Sequence, residues 1–167
     1  MRLQMYKHLA FQRAIAGEIP AGTVEPPAEV WKIDALEGYA IVYPVLPPMI
    51  RLVNRSTEND HKYYFYVAAL RAYDWNSAKK IRLPAAMWIV YTSPAPIAVD
   101  LDNFYRRAIV NAVVRTGIIP DDDGRTLSAV GDLFVHDPGL GQRTFAFVFP
   151  LDRMPSAAEI ERFVFAS

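Results

Sequence analysis

Two acidic stretches hold the residue types best suited to metal chemistry: Asp100-Leu101-Asp102-Asn103, and the run Asp121-Asp122-Asp123 about one helix later. In an extended segment residues two apart project to one side, so Asp100 and Asp102 are expected to point together. An intervening helix brings the chain back, so one of Asp121 to Asp123 meets that pair if the strand starting near Thr126 lies beside the one ending near Thr92. Clustered carboxylates repel one another unless a cation sits among them, and hard oxygen ligands suit magnesium, or manganese in its place. Such a centre fits phosphodiester hydrolysis, where the ion polarises a phosphoryl oxygen and lowers the pKa of a bound water. Each stretch also has a structural use. Asp102 or Asn103 makes a good helix cap, and Asp-Asp-Asp-Gly makes a good turn; only the combination points to chemistry.

Other chemistries find less support. The chain has no cysteine, which excludes disulfides, zinc knuckles and a thiolate nucleophile. Its three histidines, His8, His61 and His136, are too scattered for ligand spacing, and no serine sits in a nucleophile elbow. The formal charge is zero, so any nucleic-acid face has to be a local patch. Residues for such a patch are Arg51 and Arg55 after the first strand, Lys79, Lys80 and Arg82 before the second, Arg107, and Arg125 beyond the aspartates. Backbone phosphates demand charge more than base-specific geometry. Tyr63, Tyr64, Tyr66 and Tyr73 offer stacking surfaces, although aromatics at near-helical spacing usually build a core.

The elements that must position these groups read as follows. A short amphipathic helix is expected up to Gly17, then a linker, Glu18 to Pro27, with three prolines and a glycine. Residues 1–35 are therefore set apart as an extension from a main fold over 36–167. Tyr39 to Leu46 reads as a first strand with an abrupt Pro47-Pro48 exit. Glu58 to Tyr73 favours helix, Ala86 to Thr92 a buried strand, and Phe104 to Arg115 a helix stopped by Gly117. Thr126 to Val135 and Arg143 to Phe149 read as strands paired in a hairpin across Asp137 to Gly141. Ser156-Ala-Ala-Glu159 is a capping-box pattern that starts a terminal helix. The fold class is α+β, a small mixed sheet with helices packed on it, in the order strand, helix, strand, helix, hairpin, helix. With 52% apolar residues in 167, one core is expected, and no stretch reaches membrane-spanning length. Neither a secretory run nor a cleavage site marks the amino terminus, so a soluble cytoplasmic protein is the default expectation.

The order of a Pro-Pro strand exit, a helix, a short strand, Asp-Leu-Asp-Asn, a helix and Gly117-Ile-Ile-Pro-Asp-Asp-Asp resembles the RusA-like Holliday-junction resolvases. It covers roughly residues 39–149. The resemblance implies a homodimeric, magnesium-dependent endodeoxyribonuclease acting on four-way junctions or other branched DNA, of bacterial or phage origin. It carries the metal site onto Asp100, Asp102 and one of the later aspartates, Asp122 first and Asp123 next. It also equates Asn54 with an asparagine that positions the loop at the DNA. A lysine expected four residues after the second motif aspartate is Arg106 here, which keeps a cation for phosphate but does not readily donate a proton. The stretch Pro94 to Val99 is nearly uncharged where some relatives carry a basic run. These departures open the reading of a catalytically weakened relative that binds branched DNA; a protein-interaction module using the tyrosine-rich segment and the amino-terminal extension is a separate alternative.

Overall fold

The computed structural model describes residues 28–97 and 100–167. The elements are β1 (Glu29–Ile33), β2 (Gly38–Tyr43), α1 (Glu58–Ala72), β3 (Ala85–Ser93), α2 (Arg107–Thr116), β4 (Leu127–His136), β5 (Arg143–Pro150) and α3 (Ala157–Phe165). They form one mixed sheet in the order β1-β2-β5-β3-β4. The β3/β4 pair is parallel, whereas β5 is antiparallel to both β2 and β3. It follows that β2, β3 and β4 all run the same way, with α1 and α2 as the return crossings between them.

Local chemistry explains most element boundaries. The Asn54 side-chain oxygen accepts from the amides of Ser56 (2.9 Å) and Thr57 (3.1 Å), and the Asn54 carbonyl accepts from Glu58 N (2.9 Å), which winds the chain into α1. Near the other end of α1, the Trp75 indole donates to the Ala69 carbonyl at 2.7 Å. Gly117 ends α2 in the left-handed conformation at φ 78°, with its amide on the Val114 carbonyl. The capping box of α3 is complete: Ser156 Oγ accepts from Glu159 N, and Glu159 Oε2 accepts from Ser156 N at 2.8 Å.

Alternation along the strands divides the core into two layers. Tyr43, Met87, Ile89 and Tyr91 face α1 and α2, where Phe65, Ala68, Ile109 and Val113 complete the packing. Val90, Phe145, Phe147 and Phe149 face α3, where Ile160 and Val164 meet them under the edges of Trp31 and Trp88. Full burial of one such aromatic or aliphatic side chain stabilises by about 1.5–3 kcal/mol. Among the described residues no helix is long and apolar enough to cross a membrane.

Two expectations need correction. The strands β4 and β5 do not form a hairpin, because β3 lies between them. β3 is buried over nearly its whole length and takes a ladder on each edge, so the turn after β4 has to step over its end. Thr92 fastens that step, donating to the Gly141 carbonyl at 2.7 Å and accepting from Arg143 N at 3.1 Å. The sheet also takes in Glu29–Ile33, paired with β2 from Glu29↔Val42 to Ile33↔Gly38, so the expected boundary near residue 35 falls inside the first hairpin. The helix and proline-rich linker expected over 1–27 lie outside the described residues.

Trp88 lies flat over Gly131 on the neighbouring strand, and its indole donates to the Pro155 carbonyl at 3.0 Å just before α3. A Cβ at residue 131 would meet the Trp88 ring at 2.5 Å, whereas one at Gly124 would meet nothing within 4 Å. Gly131→Ala is therefore expected to cost about 1–3 kcal/mol by overpacking, and Gly124→Ala to stay within about 0.5 kcal/mol of wild type. Urea unfolding of the two variants checks the contrast.

Candidate functional site

Parallel strands deliver their loops to a common end, and the carboxyl ends of β2, β3 and β4 share one side of the sheet. The loop after β2 carries Asn54 and Arg55. The loop after β3 carries Asp100, Asp102 and Arg106 and runs into Arg107 at the start of α2. These two loops are stitched together by the bridge between Met49 and Phe104 and by the Tyr105 amide on the Pro48 carbonyl at 2.8 Å. Tyr105 Oη donates to Glu58 Oε1 at 2.8 Å, and Lys62 pairs with the same carboxylate at 2.7 Å. Lys62 and the Tyr105 hydroxyl hold the Glu58 carboxyl below its usual range; burial, helped by Glu58, pushes the Tyr105 phenol up to about 12.

Asp100 does not lie in an extended run with Asp102. Leu101–Asn103 form one turn of 3-10 helix, with Asn103 N on the Asp100 carbonyl at 3.0 Å and Phe104 N on the Leu101 carbonyl at 3.3 Å. At roughly three residues per turn, side chains two apart diverge by about 120°. The turn packs against β4, and both aspartates are exposed. Arg106 ends this loop and pairs with Asp132, whose other oxygen accepts from Tyr91 Oη at 3.3 Å. Asp132 was not among the residues singled out from sequence. Its signal was available, because an aspartate amid the apolar Leu127–His136 run on a core-facing position needs a specific partner.

The other expected residues gather at the opposite end. Asp123 closes the turn into β4: its Oδ1 accepts from the amides of Arg125 (2.9 Å) and Thr126 (3.0 Å), and Arg125 Nη2 lies 3.3 Å from Oδ2. Those amides hold the Asp123 carboxyl below its ordinary value. Asp122 is exposed, and its amide donates to Asp121 Oδ1 at 2.8 Å. The segment with Lys79, Lys80 and Arg82 lies alongside, through Ile81 N on the Ile118 carbonyl at 3.0 Å. Arg82 is committed to Asp152 (2.9 Å) and Glu37 (3.2 Å). Of the tyrosines, Tyr64 is buried in the core and Tyr63 is exposed on α1.

Two rulers give the separation of the ends. α2 has ten residues between them, a span of about 15 Å at 1.5 Å per residue. Along β4, five residues from Leu127 to Asp132 cover about 17 Å. Among the described residues no three of His, Cys, Asp or Glu come together in a group able to hold a metal ion. The donor set implied for magnesium or manganese, Asp100 and Asp102 with Asp122 or Asp123, is therefore not assembled within one chain. Compared with known proteins, the chain matches no family model and no curated sequence.

Asp123 as a turn cap has a pH signature. Its folded pKa lies below the ordinary 3.8, so its contribution is present above that value and is lost as pH falls through the folded pKa. The stability gap between wild type and Asp123→Ala is expected to be constant from pH 7 to about 5 and to narrow steadily below about 4. Thermal unfolding across that range measures it, and a gap independent of pH would contradict the assignment.

Proposed function

We propose that the chain binds branched DNA at the carboxyl end of its parallel strands, as a relative of the RusA-like resolvases in which cutting is weak or lost. The observation that carries this is the start of α2. Arg106 and Arg107 sit at the amino terminus of a ten-residue helix with no carboxylate in its first turn. A helix amino terminus bears a partial positive charge, so two arginines there are placed against the dipole. Asp132 already balances Arg106, and a bound phosphate, the anion that helix starts and guanidinium groups both recognise, would favour the arrangement further. Arg55, exposed on the adjoining loop, would extend the contact along a DNA backbone.

A second reading is favoured by Asp100 and Asp102, which are exposed and engage no hydrogen bond or ion pair through their side chains among the described residues. In it the protein is a homodimeric, metal-dependent endodeoxyribonuclease for four-way junctions. The later aspartates of a second copy would then have to complete the carboxylate set, as a two-fold assembly on a pseudo-symmetric junction allows.

A labelled four-way junction titrated at 50–200 mM salt separates the readings. Salt-dependent binding is expected, with Arg106→Ala and Arg107→Ala each lowering the salt slope by about 1, and no nicking when magnesium is added. Nicking that requires magnesium and vanishes in Asp102→Asn would establish the second reading instead. An absence of salt-dependent affinity would reject both and leave a protein-interaction module.

A further inference from the structure

Asp132 occupies an unusual position for a carboxylate. It lies mid-strand on β4 opposite Ile89, on the face that packs against α1 and α2, and its side chain is only 14% exposed. A carboxylate this sheltered requires charged or hydrogen-bonding partners. Both oxygens have one: Tyr91 Oη donates to Oδ1 at 3.3 Å, and Arg106 Nη1 engages Oδ2. Tyr91 is fully buried, with its ring stacked 4.5 Å from that of Phe104, two residues before Arg106. Burial, followed by the neighbouring Asp132, pushes the Tyr91 phenol well above its ordinary value, so it remains a donor to the carboxylate. The carboxylate is thereby fixed to the body of the sheet.

Arg106 differs from its partner. Its side chain is 50% exposed. A guanidinium carries five donors in one rigid plane, and a carboxylate at one nitrogen sets the direction of the others. We infer that Asp132 is a positioning residue for Arg106, holding the guanidinium so that its outer donor edge faces a phosphate of bound DNA. This rests on the DNA-binding reading above. The arrangement parallels the carboxylates that orient metal-binding histidines from behind, whose loss typically costs 10–100-fold in metal affinity or activity. Ordinary surface ion pairs do not have this effect, because neither partner is anchored.

Plain electrostatics and positioning predict opposite signs. Removing a negative charge near a phosphate-binding arginine should tighten DNA binding if charge alone matters. Positioning requires the reverse: Asp132→Asn is expected to weaken four-way-junction binding by roughly tenfold, although net charge becomes more favourable. Arg106→Ala should lose a similar factor, and the double variant should bind no worse than Arg106→Ala alone, since the aspartate acts only through the arginine. Binding by Asp132→Asn that equals or exceeds wild type, or losses that multiply in the double variant, would overturn the inference while leaving the DNA-binding reading intact. Failure of the wild-type protein to bind junctions would overturn both. Circular dichroism checks folding. Should Asp132→Asn not fold, Tyr91→Phe removes only the hydroxyl that anchors the carboxylate; a several-fold loss is expected, and unchanged affinity contradicts the inference.

Discussion

The shared direction of β2, β3 and β4 is the constraint on which the rest of the molecule depends. Parallel strands require crossings that return the chain, and α1 and α2 supply them on one face of the sheet. Every loop is consequently assigned to one of two ends. Loops that follow strands hold Asn54, Arg55, Asp100, Asp102 and Arg106, and run into Arg107 at the start of α2. Loops that precede strands hold Lys79, Lys80, Arg82, Asp121 to Asp123 and Arg125. No side-chain rotation within one chain bridges a helix of ten residues.

That sorting explains why similar residues do different work. Asp123 and Asp132 are both aspartates beside an arginine, yet Asp123 is tied into its own turn by backbone amides while Asp132 reaches from the sheet to a residue 26 positions away. The first shapes the entrance to β4. The second joins β4 to the loop that starts α2, and through Tyr91 it joins that loop to β3 as well. Arg82 and Arg106 diverge likewise: Arg82 is neutralised by two exposed acids, whereas Arg106 is held by one sheltered acid and keeps a face in solvent. A basic residue counts as a phosphate contact only after its own partners have been considered.

What was legible in the sequence was what short-range physics decides. The capping box at Ser156, the Gly117 stop, the apolar runs of β2 and β3 and the helix from Glu58 were readable because each depends on neighbours a few residues away. The insertion of β3 between β4 and β5 was not, since a turn-flanked pair of strands looks the same whether or not a third strand lies between them. β1 was hidden because Glu29–Ile33 is short and follows a proline-rich stretch. The aspartates were legible as residues and illegible as a site. Their separation is set by the length of α2 and the direction of β4, and one turn of 3-10 helix at Leu101–Asn103 replaced the extended pair. Asp132 could have been found, because a carboxylate at an inward position of an apolar strand implies a partner elsewhere.

The central claim is the distance between the two acidic stretches within a chain. Because the protein has no cysteine, nitroxide labels can be placed without background at the exposed neighbours Asn103→Cys and Gly124→Cys, which leave every aspartate in place, and doubly labelled protein can be diluted with unlabelled protein to isolate intramolecular pairs. Pulsed electron-electron resonance should return a single population at about 15 Å or beyond, as the rise of α2 requires, unchanged by magnesium. A population drawn inward by magnesium, as carboxylates sharing a cation require, or the continuous-wave line broadening of nitroxides in close proximity, would contradict the account.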